Sequence, residues 1–162
     1  ESIALHSKLT NLNSLQDQDV KNGYGVMLRI VDYQSNLMID RANQSSADTI
    51  AGFMMYLSES YREMQHAFER TAYNFRDGPM QQILLEDAES LEQQGEDLHS
   101  KSNSTPNITS FSKMLVGFYK ERATKFRVLT RKKKIKSDSA AVFMLKQHAN
   151  ILDNCTRSLE IG

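Results

Sequence analysis

The chain has a single cysteine, Cys155. That excludes an internal disulfide, the ordinary condition of a cytosolic protein and one shared by many periplasmic domains. No apolar run approaches the ~20 residues that a bilayer-spanning helix needs. The opening residues ESIALHSKLT also lack the basic-then-apolar layout of a signal peptide. The expected location is therefore cytoplasmic and peripheral at membranes, with the periplasm as the alternative. Charge of one sign is missing as well: Lys and Arg total 20, Asp and Glu total 20, so the strongly basic balance of a typical nucleic-acid binder is absent. There is no G-x-S-x-G elbow, no glycine-rich phosphate loop and no H-E-x-x-H, and no nucleophile is argued. The expectation is a non-enzyme without a cofactor. Alternating strand patterns are absent too, which makes the expected fold all-α.

What is present is helical periodicity in a chain of 162 residues, 40% apolar and 25% charged, enough for one soluble domain spanning 1–162. Ile50, Leu57, Met64 and Thr71 form one series of sevens, and Met54, Tyr61, Phe68 and Phe75 form another. Such a stripe predicts a long helix packed at a shallow crossing angle. Ser45, Ser46 and Asp48 are candidate N-caps before it. Gly78 and Pro79 interrupt the pattern as a kink or a break, Leu84, Leu91 and Leu98 resume it, and SKSNSTPNITS, residues 100–110, reads as a hairpin tip. Phe111, Leu115, Phe118, Phe126 and Leu129 carry the next stripe, and Val142, Leu145, Ala149, Leu152 and Leu159 the last. The map is helices near 3–42, 47–76, 79–101, 108–135 and 139–160. With Ser137 and Asp138 as a second kink or restart, it describes an antiparallel bundle of long, kinked helices, either a three-helix coiled coil, if both interruptions are bends, or a four-helix bundle.

Chemistry-bearing residues are few. Glu63 with His66, and Glu96 with His99, have the E-x-x-H spacing of di-iron bundles. A complete site would need further inward carboxylates, for which the first helix offers only Asp17, Asp19, Asp32 and Asp40, so the expectation is no metal. The methionines follow the stripes and read as core, as does Cys155. Asn22–Gly25, NGYG, reads as a loosened stretch of the first helix.

The densest feature is RVLTRKKKIKSDS, residues 127–139. Nine bases and one acid, Glu121, lie between Lys120 and Lys136, whereas six acids and no base lie between Glu86 and Asp97. A hairpin at residues 100–110 would set these two stretches antiparallel, where they partly neutralise each other. Lys132, Lys133, Lys134 and Lys136 are expected beyond the reach of Glu86–Asp97 and facing solvent. A solvated basic face attracts phosphate, on lipid head groups or on nucleic acid. Because Phe118, Tyr119 and Phe126 lie on the apolar stripe and are not free to stack on bases, the anionic membrane surface is preferred.

From Tyr56–Leu91, YLSESYREMQHAFERTAYNFRDGPMQQILLEDAESL, through Phe118–Lys134, FYKERATKFRVLTRKKK, the chain resembles the BAR domains, elongated helical coiled coils that dimerise on curved membranes. The resemblance is one of pattern and covers about half the chain. It implies a homodimer whose lipid contacts would be Lys120, Arg122, Lys125, Arg127, Arg131, Lys132, Lys133, Lys134 and Lys136. The rival reading is an extracytoplasmic sensor domain of a bacterial transmembrane receptor, because Asn22–Asn43 has the texture of a chemoreceptor sensor's first helix. A module whose apolar stripe docks a partner helix is the third.

Overall fold

The computed structural model describes residues 46–74 and 78–161, together with Asp32, Ser35, Asn36, Met38, Ile39 and Arg41, all six of them helical. Most of the helix expected over 3–42, the NGYG segment, Phe75, Asp17, Asp19 and Asp40 lie outside the described residues. Within the described residues every long element is a helix, so the all-α expectation holds.

Helix α1, Ala47–Asn74, starts where Ser46 Oγ accepts the backbone N–H of Thr49 at 3.3 Å, which singles out Ser46 among the three candidate caps. Its two series of sevens point inward: Ile50, Leu57, Met64, Thr71, Met54, Tyr61 and Phe68 are all buried. Gly78 then adopts an extended backbone as N-cap, and Pro79, which has no N–H to lose, takes the first helical position of α2, Pro79–Ser102. The interruption is thus a reversal rather than a kink. Ser58 Oγ donates to Gly95 O at 2.7 Å and Gln81 Nε2 to Ala72 O at 3.3 Å, a pairing that advances along α1 as it retreats along α2.

Gly95 marks the close approach of these two helices. A Cβ there would meet Ser58 O and Tyr61 Cβ at 3.5 Å, ordinary contact rather than collision. Since glycine inside a helix is about 0.5–1 kcal/mol worse than alanine, Gly95→Ala is expected to raise stability by up to that amount in chemical denaturation. Gly95→Leu has no room for its branch and is expected to lower it.

Helix α3, Ile108–Leu129, opens on a capping box in which Asn107 Oδ1 accepts from Ser110 N at 2.8 Å and Ser110 Oγ accepts from Asn107 N at 3.1 Å. It stops short of the expected residue 135. Tight bonds from Arg131 N to Val128 O and from Lys132 N to Leu129 O, both 3.1 Å, close its end. Lys132 is extended, and the single turn α4, Lys133–Lys136, precedes α5, Ser139–Ile161. Asp138 Oδ1 caps α5 through Ala141 N at 3.0 Å. Ile135, 0% exposed in the middle of the lysines, pins this corner to the core. α3 and α5 run antiparallel, with Lys120 against Glu160 and Arg127 against Asp153. Besides the six helical residues between 32 and 41, the described residues form four long helices and one short one. They share one apolar core, to which Ile39 also contributes.

Candidate functional site

The nine bases singled out by the sequence separate into three environments. Arg122 is 1% exposed and cannot meet a surface, which corrects its place in the lipid-contact set. Three more are engaged by acids. Lys120 pairs with Glu160 at 2.9 Å, and Lys125 lies 3.5 Å from the Glu86 carboxylate while donating to Glu86 O and Ser90 Oγ. Arg127 holds Asp153 and donates to Asn150 Oδ1 at 3.3 Å. Of these three, only Lys125 is neutralised by the acidic stretch Glu86–Asp97; Lys120 and Arg127 find their acids on α5. Arg131, Lys132, Lys133, Lys134 and Lys136 are exposed, and none is ion-paired with an acid among the described residues.

These five belong to the corner between α3 and α5, not to a continuous helix. Lys134 lines a cleft of about 370 Å³ together with Gly78, Gln82, Glu86 and Glu89, so it lies closer to the acidic helix than its place in the sequence suggested. The same cleft sets the start of α2 at the same end of the bundle as the corner. Exposed apolar side chains collect toward that end: Tyr73 and Phe143, each 68% exposed, and Val128 and Leu85.

Local physics does not account for the lysines. One or two cations complement a helix C-terminus by about 0.3–1 kcal/mol, a role open to Arg127 and Arg131. Lys133, Lys134 and Lys136 lie in α4, a single turn too short to have distinct ends for a helix dipole to favour. Neighbouring cations ~6 Å apart in water repel by about 0.7 kcal/mol before screening.

The sequence reading missed a second constellation, in the core. Arg122 Nη1 donates to Asp32 Oδ1 at 3.1 Å and Nε to Asp87 Oδ1 at 3.4 Å, and its guanidinium lies 5.7 Å from the Phe126 ring centroid. Tyr119 Oη donates to Asn36 Oδ1 at 3.0 Å beside it. Asp32 and Asp87 are 2% and 1% exposed. Arg122 falls four residues from both Phe118 and Phe126, a charge placed on an apolar stripe, and that was the available signal. Burial pushes the Asp32 carboxyl up to about 6, and the attraction of Arg122 only partly offsets it; Asp87 adds to the rise. Burial also raises the Tyr61 and Tyr119 phenols.

A carboxyl whose folded-state pKa exceeds its unfolded value holds its proton more firmly in the native state, so stability falls as pH rises between the two values. For Asp32 the window runs from the ordinary carboxylate range, near 3.8, to about 6. Asp32→Asn keeps an acceptor for Arg122 and removes the titration. It is expected to flatten the dependence of unfolding free energy on pH in that window and to be no less stable than the parent at neutral pH. An unchanged slope would refute this assignment.

Glu63, His66, Glu96 and His99 are all exposed on their helices. Among the described residues, no group of three His, Cys, Asp or Glu side chains converges to hold a metal ion. Burial pushes the Cys155 thiol up to about 11, away from the reactive thiolate. No helix among the described residues is long and apolar enough to cross a membrane. Compared with protein-family models, curated proteins and solved structures, the chain matches none of them.

Proposed function

We propose that the protein is a non-enzymatic, peripheral module that engages anionic phospholipid through the basic corner, Arg131–Lys136. The observation that carries this reading is five exposed cations within six residues, free of acidic partners among the described residues, held in one turn by the buried Ile135. Each basic residue near an anionic bilayer contributes about 1 kcal/mol, so several weak contacts sum to useful affinity. Exposed Phe143 and Tyr73 at the same end supply aromatic groups suited to the head-group layer. Nucleic acid is less well served, since Phe118, Tyr119 and Phe126 are packed into the core and offer no stacking platform. The likeness to BAR domains enters here only as the expectation of a homodimer, which would double the number of corners on one surface. Sedimentation velocity tests that part separately.

The experiment is co-sedimentation with vesicles of phosphatidylcholine alone and of phosphatidylcholine with phosphatidylserine, at low and high salt. Binding that requires the anionic lipid and weakens with salt supports the reading. Absence of binding to either vesicle at low salt would remove it.

A further inference from the structure

Four cations, from α3, the turn that follows it, α4 and α5, converge beside the exposed rim of the corner, Lys132–Lys134. Arg127, Arg131, Lys136 and Lys146 line one cleft of about 550 Å³ between the end of α3 and the middle of α5, with Thr130, Asn150 and Val142 completing its wall. Lys146 stands ten residues beyond the lysine run, and only the antiparallel return of α5 brings it here. Asp153 balances the charge of Arg127, which leaves three positive charges in the cleft unmatched. Neither Arg131, Lys136 nor Lys146 is ion-paired among the described residues. Asn150 Oδ1 is occupied by Arg127, so the amide of Asn150 keeps N–H donors for another acceptor. The Thr130 hydroxyl is committed to Arg127 O at 2.6 Å.

Size and charge together select the ligand. A phosphodiester carries one negative charge, whereas a phosphomonoester carries about 1.5 to 2 and presents three strong acceptor oxygens. Three unmatched cations, one of them a guanidinium whose planar fork suits phosphate, exceed what one phosphodiester neutralises. The volume falls in the range of small-molecule pockets, about 300–1,000 Å³, and is larger than a lone phosphate fills. We infer that this cleft binds a polyol head group bearing two or more phosphomonoesters, with Arg131, Lys136 and Lys146 as its anion contacts. The inference rests on the membrane reading for its lipid source; the same chemistry is also offered by a soluble inositol phosphate.

The test uses the full chain and two variants that each remove two positive charges. Arg131→Gln with Lys146→Gln alters the cleft, and Lys132→Gln with Lys133→Gln alters the rim. Three probes are titrated: soluble inositol trisphosphate, phosphatidylcholine vesicles carrying phosphatidylinositol bisphosphate, and vesicles carrying phosphatidylserine at equal surface charge. The cleft pair is expected to weaken trisphosphate and bisphosphate-vesicle binding by at least about tenfold and the rim pair to weaken trisphosphate binding by less than about threefold, while both pairs act equally on serine vesicles. Equal losses from both pairs on bisphosphate vesicles, with no trisphosphate bound, would overturn the cleft and leave the membrane reading standing. Trisphosphate binding that depends on the cleft, without binding to any vesicle, would keep the cleft and overturn the membrane reading. No binding to any probe overturns both.

Discussion

Arg122→Met is expected to destabilise the protein by about 3–5 kcal/mol, the characteristic penalty for removing one partner from a buried ionic group. For a domain of this size that corresponds to a fall in Tm of roughly 6–20 °C. The hydrogen bonds that Arg122 gives to Asp32 and Asp87 are lost, and burial of the carboxylates makes their loss costly. The methionine would take the Arg122 charge away from Asp32 and Asp87, both nearly inaccessible to water. Burial already holds the Asp32 carboxyl above its ordinary range despite the attraction of Arg122, and the neighbouring Asp87 adds to the rise. Two consequences separate this account from simple loss of packing. The deficit of the variant should shrink as pH is lowered toward 4, because the orphaned carboxyls take up protons. The triple replacement Asp32→Leu, Asp87→Leu, Arg122→Met should recover most of the loss, since an apolar set of similar volume needs no counter-charge. A loss below about 1 kcal/mol, or one that does not change with pH, would mean that water reaches the cluster freely.

Replacing Lys132, Lys133 and Lys134 with alanine is expected to weaken association with phosphatidylserine-containing vesicles by about 100-fold while leaving the fold intact. The three side chains are exposed, and none is ion-paired among the described residues, so little stability depends on them. At about 1 kcal/mol each near an anionic surface, their removal subtracts about 3 kcal/mol, and every 1.4 kcal/mol is about a factor of ten. Raising ionic strength from about 0.1 to 1 M shortens the screening length from about 10 to 3 Å. Wild-type binding should therefore fall toward that of the variant. Co-sedimentation across a salt series measures both quantities. Retention of wild-type affinity by the alanine variant would exclude the corner as the membrane contact.

How much of this was legible in the chain depended on the range of the interaction concerned. The stripe from Ile50 to Thr71, the break at Gly78–Pro79 and the tip within residues 100–110 are local patterns, and the structure repeats them, with the tip narrowed to 103–107. The end of α3 was not legible, because no glycine or proline marks residues 130–136. The chain turns there so that Ile135 can be buried against distant helices, which local propensity does not encode. The proximity of Lys134 to Glu86 and Glu89 follows from that turn and was lost with it. Arg122 was counted with the surface bases because its neighbours in sequence are basic. Its register on the Phe118–Phe126 stripe argued otherwise, while its partner Asp32, 90 residues away, could not be paired with it from the sequence. The basic cleft failed to show for the same reason, Lys146 being brought to Arg131 only by the reversal into α5.

That reversal also fixes how the molecule would stand. Tyr73, Gly78, the corner and Phe143 share one end, and the Asn103–Asn107 turn, with Ser46, lies at the other. Helices of 22 to 28 residues are about 33 to 42 Å long. Seated by the corner, the bundle of described helices would be a post rather than a saddle, with its axis along the bilayer normal and its tip displayed about 40 Å above the head groups. The footprint of those helices would be their cross-section alone, indifferent to gentle curvature.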